Sequence, residues 1–290
     1  MTPRFERFAA IDWSGAKGRK QRGIALAVCE EGTAAPQLVE PVDRAWSRGE
    51  VLEWIIGQAN EPTLIGLDLS PTFPFVDRGT YFPGWDRSPG DARGLWALVE
   101  SLSADDPHLA ATSFVAHAEV RRHFRQLRDC GDLFPQGAGR FRRCEEGQRE
   151  MGLSPYSCFN LVGAAQVGKS SLTGMRVLHA LAGRIPVWPF DPVPARGALI
   201  VEIYTTIAAR DAGIPKGSSK IRDGETLDRA LRELGSDPHM PFARRYDDHS
   251  TDAILTAAWL RANARRPELW KPKDMKPNIA STEGWTFGVR

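Results

Sequence analysis

No apolar run in the sequence approaches the roughly 18 residues needed to cross a bilayer as a helix. The opening stretch, MTPRFERFAAIDWSG, is charged where a secretory leader would carry its apolar segment. An integral helical membrane protein and a secreted one are therefore not expected, and a cytoplasmic location is. Cysteine is scarce: Cys29, Cys130, Cys144 and Cys158 form neither a C-x-x-C pair nor a zinc-like cluster, so they read as reduced thiols. A large charge of one sign is missing too. The formal net charge is +2, and nothing global demands a polyanionic partner. There is no internal repeat and no low-complexity tract.

What remains is ordinary globular material: 290 residues, 42% hydrophobic and 26% charged, enough for a sizeable core. RFAAID, the turn WSGAKGRKQR and GIALAV read as a hairpin of two strands. Ser47 with Glu50 is a capping-box start to a short helix, and TLIGLDLS, bounded by Pro62 and Pro71, is a buried strand. Helices are expected over Ala92–Leu102 and Thr112–Leu127, then over LTGMRVLHALAG. IPVWPF and ALIVEIY are further strands, and STDAILTAAWLRANA is a last helix. Alternating strands and helices indicate an α/β fold, and the antiparallel opening pair argues against a purely parallel sheet. We expect one domain over 1–290, with an insertion or cap at about 71–155.

Two patterns compete for the chemistry. Gly163 to Ser170 matches G-x-x-x-x-G-K-[ST], the loop that cradles nucleotide phosphates, with Lys169 on the β/γ-phosphates and Ser170 on magnesium. Its local context, CFNLV as a strand and KSSLTGMRVLHAL as a helix, suits a nucleoside-triphosphate-binding protein. The strand ending in an acidic metal ligand, however, lies upstream in LIGLD, leaving only Glu202 downstream. The plainer reading is a helix N-terminus whose glycines allow tight packing.

The second pattern is a set of carboxylates. Asp12 ends the first strand, Asp68 ends LIGLD, Glu202 lies within ALIVEIY, and Asp247, Asp248 and Asp252 surround the start of the last helix. Isolated charges are costly in apolar strands, so several of them together suggest a cation, with Mg2+ or Mn2+ matching hard oxygen ligands. Asp248 and Asp252 are spaced i, i+4, and His249 and Asp252 i, i+3, so each pair can share a helix face. Two ions about 4 Å apart would suit hydrolysis of a phosphodiester. Singly, Asp12 could close its turn, Asp248 could cap the helix, and Glu202 could pair with an arginine.

FAAIDWSG, LIGLDLSPTFP, VWPFD, VEIYTTIA and DDHSTDAILTAAWL, in this order, resemble the uncharacterised domain of unknown function 429 family, grouped with predicted ribonuclease-H-like nucleases. The resemblance extends over most of the chain. It implies a ribonuclease-H-like mixed sheet with an antiparallel front hairpin, flanked by helices. The site would lie where the first and fourth strands meet the N-terminus of the last helix. Asp12, Asp68 and Asp252 would then be metal ligands, and HSTDA resembles the H-x-x-D variant of junction-resolving members, making His249 a ligand or general base. Asp248 would be an accessory and Glu202 a further candidate. Water would attack an in-line phosphodiester, leaving a 3′-hydroxyl. A glutamate on the first helix directed at the site is not evident, since neither Glu50 nor Glu53 is preferred. The family also carries a segment similar to SCFNLVGAAQVGKSSLTGMRVLHAL, which makes the phosphate-loop match incidental.

Nucleic-acid contact by the basic turn Lys17, Arg19, Lys20 and Arg22 is expected to be backbone-directed and salt-dependent. Arg121, Arg122, Arg125 and Arg128, and then Arg140, Arg142 and Arg143, are further basic candidates, with solvated faces as the alternative. Trp13, Trp85 and Trp188 could stack on bases, though core packing explains each as well. A non-catalytic binding module of the same fold is the third reading.

Overall fold

The computed structural model describes residues 4–126, 129–135, 137–162, 167–215, 220–242 and 246–290. Strands β1 (Arg7–Asp12), β2 (Ala25–Glu30), β3 (Gln37–Leu38) and β4 (Thr63–Asp68) come first, with helix α1 (Arg48–Gly57) before β4. A helical stretch follows: α2 (Ala92–Ser103), α3 (Thr112–Ala116), α4 (Ala118–Arg121), the small ribbon β5 (Arg125–Gln126) and β6 (Asp129–Cys130), α5 (Arg143–Glu150) and α6 (Val167–Ala180). The chain returns through β7 (Val187–Trp188) and β8 (Leu199–Glu202) to α7 (Thr205–Asp211), α8 (Gly224–Glu233), α9 (Asp248–Asn263), α10 (Pro267–Trp270) and α11 (Pro277–Thr282).

Six strands form one mixed sheet in the order β3-β2-β1-β4-β8-β7. The β3-β2-β1 half is antiparallel, while β1, β4, β8 and β7 run parallel. Side chains alternate across this sheet, so each strand feeds two cores. Ala9 and Ile11 of β1, with Ile65 and Leu67 of β4, join Phe73, Phe82, Trp96, Phe124 and Leu172 on one face. Phe8 and Ala10, with Leu64 and Val201, face Ile254, Ala257 and Leu260 of α9 on the other. A hydrogen in place of a side chain lets α9 sit this close: a Cβ at Gly66 would come within 2.7 Å of Ile203 Cγ2 and 2.9 Å of Leu260 Cδ1.

The capping box at Ser47 forms as expected, with Ser47 accepting from Glu50 N and Glu50 accepting from Ser47 N. The helix expected over Thr112–Leu127 does not run through. It breaks at His117 (φ −59°, ψ 134°) into α3 and α4, and the chain then turns into β5. Phe114, Val120 and Phe124 are all fully buried in the aromatic layer on the sheet. CFNLV is not a strand of the sheet either, since Asn160 makes only an isolated bridge to Arg125. The 71–155 stretch lays its aromatic side chains directly onto the sheet's own core. Among the described residues no helix is long and apolar enough to cross a membrane.

His123 is buried in that aromatic layer, its ring 5.4 Å from Phe82. Burial, then the charges of Arg140 and Arg122, lowers its pKa to about 4. The unfolded chain therefore takes up this proton more readily. The stability from neutral His123 is complete above the ordinary imidazole range and is lost as pH falls through about 4. The denaturation midpoint is expected to drop between about pH 6.5 and 4, and His123→Phe to flatten the slope there. An unchanged slope would assign acid sensitivity to other groups.

Candidate functional site

Parallel pairing sets the first two carboxylates side by side. Asp12 and Asp68 are register partners at the carboxyl ends of β1 and β4, the edge where open α/β sheets form crevices. Both project toward the α9 face, in step with Ala10 and Gly66. Helix α9 begins above them. Its N-cap is Asp247, not Asp248: the Asp247 side chain accepts from Ser250 N at 3.0 Å and from Ser250 Oγ at 2.9 Å. That start places His249 and Asp252 one turn apart on the helix, over the strand ends.

His249 Nδ1 lies 2.8 Å from Asp12 Oδ2, and its side chain is 46% exposed. This hydrogen bond to Asp12 raises the imidazole pKa. Burial raises Asp12 against the opposing pull of His249. Asp68 is pushed well above the carboxylate range by burial, then by the charges of Asp12, Asp252 and Glu202. Asp252 is pushed up to about 8 by burial, then by Asp12 and Asp248. Among the described residues Asp252 has no hydrogen-bond or ion-pair partner. The three aspartates are thus close enough to repel one another and too buried for water to relieve it.

Carboxylate oxygens are the donor type a hard divalent cation prefers, and His249 already offsets part of the charge on Asp12. Among the described residues no group of three or more His, Cys, Asp or Glu is placed so that it could hold a metal ion. Asp252 carries its own consequence without metal. Its folded pKa is raised, so its neutral form stabilises the fold fully below the ordinary carboxylate range, and that contribution is lost as pH rises through about 8. In chelator, the thermal midpoint is expected to fall between about pH 4 and 8, and Asp252→Asn to flatten that fall. If Asp252→Asn keeps the wild-type slope, the carboxylate is not held in this environment.

A cleft of about 500 Å3 opens beside these groups, lined by Asp68, His249, Trp13, Ser70, Tyr156 and Tyr204 among others. Two other candidates are already ion-paired, although Glu202 also lines this cleft. Asp248 is held by Lys220 (2.7 Å) and Arg222 (2.5 Å). Glu202 is in register with Leu67, so it belongs to the opposite face of the sheet from Asp68. There Arg142 grips it through Nη2 to Oε1 (2.5 Å) and Nη1 to Oε2 (2.8 Å), and Thr286 adds a hydrogen bond. The arginine pairing, one of the readings left open by the sequence, is the arrangement found.

Arg142 itself is fully buried and also donates to Glu145, Ser70 and the Glu283 carbonyl. It is therefore not a surface contact for nucleic acid, and neither is Arg140, which binds Asp77 and the carbonyls of Pro74, Thr80 and Tyr81. Arg121 and Arg122 pair with Asp129 and Asp132, Arg125 is exposed, and Arg128 lies outside the described residues. In the basic turn Lys17, Arg19 and Arg22 are exposed, while Lys20 is bound by Glu50 and Asp43. That pairing, led by the Lys20 hydrogen bond, holds Glu50 down at about 2 and away from the aspartates. Trp13 and Trp188 are core residues, Trp13 donating to Thr173 and Trp188 packing on Trp270 and Phe287. Trp85 is half-buried against His117.

Residues 163–166 of the phosphate-loop match lie outside the described residues. Lys169 and Ser170 fall within the opening turn of α6. The close packing there involves Gly15, where a Cβ would come within 2.4 Å of Lys169 C and Ser170 N, and Gly168, where it would meet the Cys158 carbonyl at 2.1 Å. The sequence reading named Arg142 only as a basic candidate and missed Glu145 and Ser70, all three of which line the cleft. Only half of a capping arrangement forms at the start of α5, Glu145 Oε2 accepting from Arg142 N at 2.9 Å, so the pair carries no capping-box signature in the sequence.

The fold and site define a mixed α/β protein with paired strand aspartates under a helix N-terminus. Comparison with family models, curated proteins and solved structures gives no match.

Proposed function

We propose that the chain is a metal-dependent phosphodiester hydrolase of ribonuclease-H-like fold, acting on nucleic acid as a nuclease of the domain of unknown function 429 type. The observation that carries this reading is the register pairing of Asp12 with Asp68 beneath the helix turn bearing His249 and Asp252. An antiparallel front hairpin, adjacent first and fourth strands and a long last helix over their ends also support it.

Asp12, Asp68 and Asp252 would hold Mg2+ or Mn2+, whose bound form supplies Lewis-acid stabilisation and a more acidic water. Asp12 fixes the His249 ring through Nδ1, leaving Nε2 to move a proton at the cleft. The buried floor of Arg142, Glu145 and Glu202 keeps the strand ends rigid. Exposed Lys17, Arg19 and Arg22 lie in the turn that follows Asp12 and are suited to phosphate-backbone contact.

The triphosphate-binding alternative over Gly163–Ser170 needs a strand leading into α6, and CFNLV, the described segment just before it, is not part of the six-stranded sheet. Calorimetric titration with Mn2+ separates the readings. Binding is expected to survive Lys169→Ala and to be lost in Asp12→Asn. Absence of Mn2+ binding, with tight Mg-ATP binding that requires Lys169, would sink the hydrolase reading. Metal-independent nucleic-acid binding without cleavage would instead identify a non-catalytic module.

A further inference from the structure

A second cavity, of about 270 Å3, lies beside the carboxylate cleft and shares Gly15 and Ala16 with it. Three cationic side chains line it, Lys17, Arg48 and Lys169, and no carboxylate does. Arg48 is 2% exposed. Four of its bonds go to carbonyls: Nε and Nη2 to Ser14, Nη2 to Ala16 and Nη1 to His108. Carbonyls satisfy N–H groups but leave the formal charge in place, and among the described residues no acidic group pairs with Arg48. Burial, then the charge of Arg176, lowers its pKa to about 10. Burial and the charge of Lys17 lower Lys169 as well. Lys17 is exposed and, among the described residues, has no ion-pair partner. The remaining wall is apolar, formed by Ala111, Val115, Leu161 and Leu172, with Gln126 at its edge.

The buried charge of Arg48 has no acidic partner among the described residues and exposed Lys17 adds a second positive charge to the same cavity, so an anion would be stabilised there. More than one positive charge matches a dianionic head, and an apolar wall matches a flat organic body. We propose that this cavity is a binding site for a nucleotide-sized phosphate ester, with its phosphate at Arg48 and Lys17 and its base against the α3–α6 wall. The site is distinct from the metal-binding aspartates and does not depend on the proposed reaction. It also gives Lys169 and the basic turn a shared role outside a phosphate loop.

The test is calorimetric titration of the full chain with 5′-AMP in chelator, so that the aspartate site contributes nothing. Saturable binding competed by inorganic phosphate is expected. Lys17→Ala should weaken it about tenfold, the scale of one charged hydrogen bond. Ala116→Trp, at an exposed lining position, should abolish it by filling the groove. Both variants alter surface residues and spare the fold, whereas Arg48→Gln removes a buried staple, so the case does not rest on it. A 5′-phosphorylated dinucleotide competing as well as AMP supports the site and assigns it to a strand end. Competition by AMP alone supports it for the free nucleotide. No binding at millimolar AMP, equal binding of uncharged adenosine, or binding unmoved by either variant overturns the proposal.

Discussion

Under the proposed hydrolase reading, Asp68→Asn is expected to reduce Mn2+-dependent cleavage of DNA or RNA by about a hundred- to a thousandfold, the scale on which removing a charge-stabilising group at a reacting centre acts. The fold should survive. Asp68 is repelled by Asp12, Asp252 and Glu202, and burial already disfavours its charge, so a neutral isostere relieves strain on the metal-free protein. The thermal midpoint in chelator should therefore hold or rise while cleavage falls. Measured together, these opposite changes distinguish a functional carboxylate from a structural one. Substantial cleavage by Asp68→Asn would place the chemistry elsewhere, and a lower midpoint in chelator would mean that Asp68 serves the core.

The second large effect is on stability. Arg142→Met is expected to cost about 3–5 kcal/mol, as breaking a buried ion pair by removing one partner does. Glu202 loses both of its bonds to the guanidinium, and Glu145 and Ser70 lose one each. For a chain of this size the thermal midpoint should drop by roughly 10 °C. Adding Glu202→Gln to Arg142→Met should recover part of the loss, because the uncompensated charge is then gone. Full additivity of the two substitutions would show that they do not share one network. This pair also tests the placement of Glu202: if it were a metal ligand rather than the partner of Arg142, Glu202→Gln alone would remove Mn2+ binding.

The strands and the aspartate pair were legible in the sequence because each is a local pattern. An apolar run ending in Asp marks a strand whose last side chain meets a crevice, and two such runs, RFAAID and TLIGLD, pair in register. The Ser47 capping box and the long final helix were legible for the same reason. Glu202 was not, because which face it takes depends on register with β4 and on an arginine 60 residues away in sequence. Arg140 and Arg142 looked like a basic surface for a related reason. Nothing local in GRFRRCEE says that two of its arginines are buried and committed to distant carboxylates and carbonyls. The break at His117 escaped the reading because both halves are locally helical and the extended backbone at one residue leaves no local signal.

Gly66 has a consequence beyond packing. It lies two residues before Asp68 on the same face of β4, and the layer above rests on it. The distance from the strand carboxylates to Asp252 is therefore set by a residue that would touch neither substrate nor ion. Oxygen-to-metal distances differ by only a few tenths of an ångström between magnesium at about 2.0–2.1 Å and calcium at about 2.3–2.6 Å. A methyl group at position 66 would press on the Ile203 and Leu260 side chains, on which α9 is seated. Under the proposed chemistry, ionic-radius discrimination would then be written into the sheet–helix spacing rather than into the ligands.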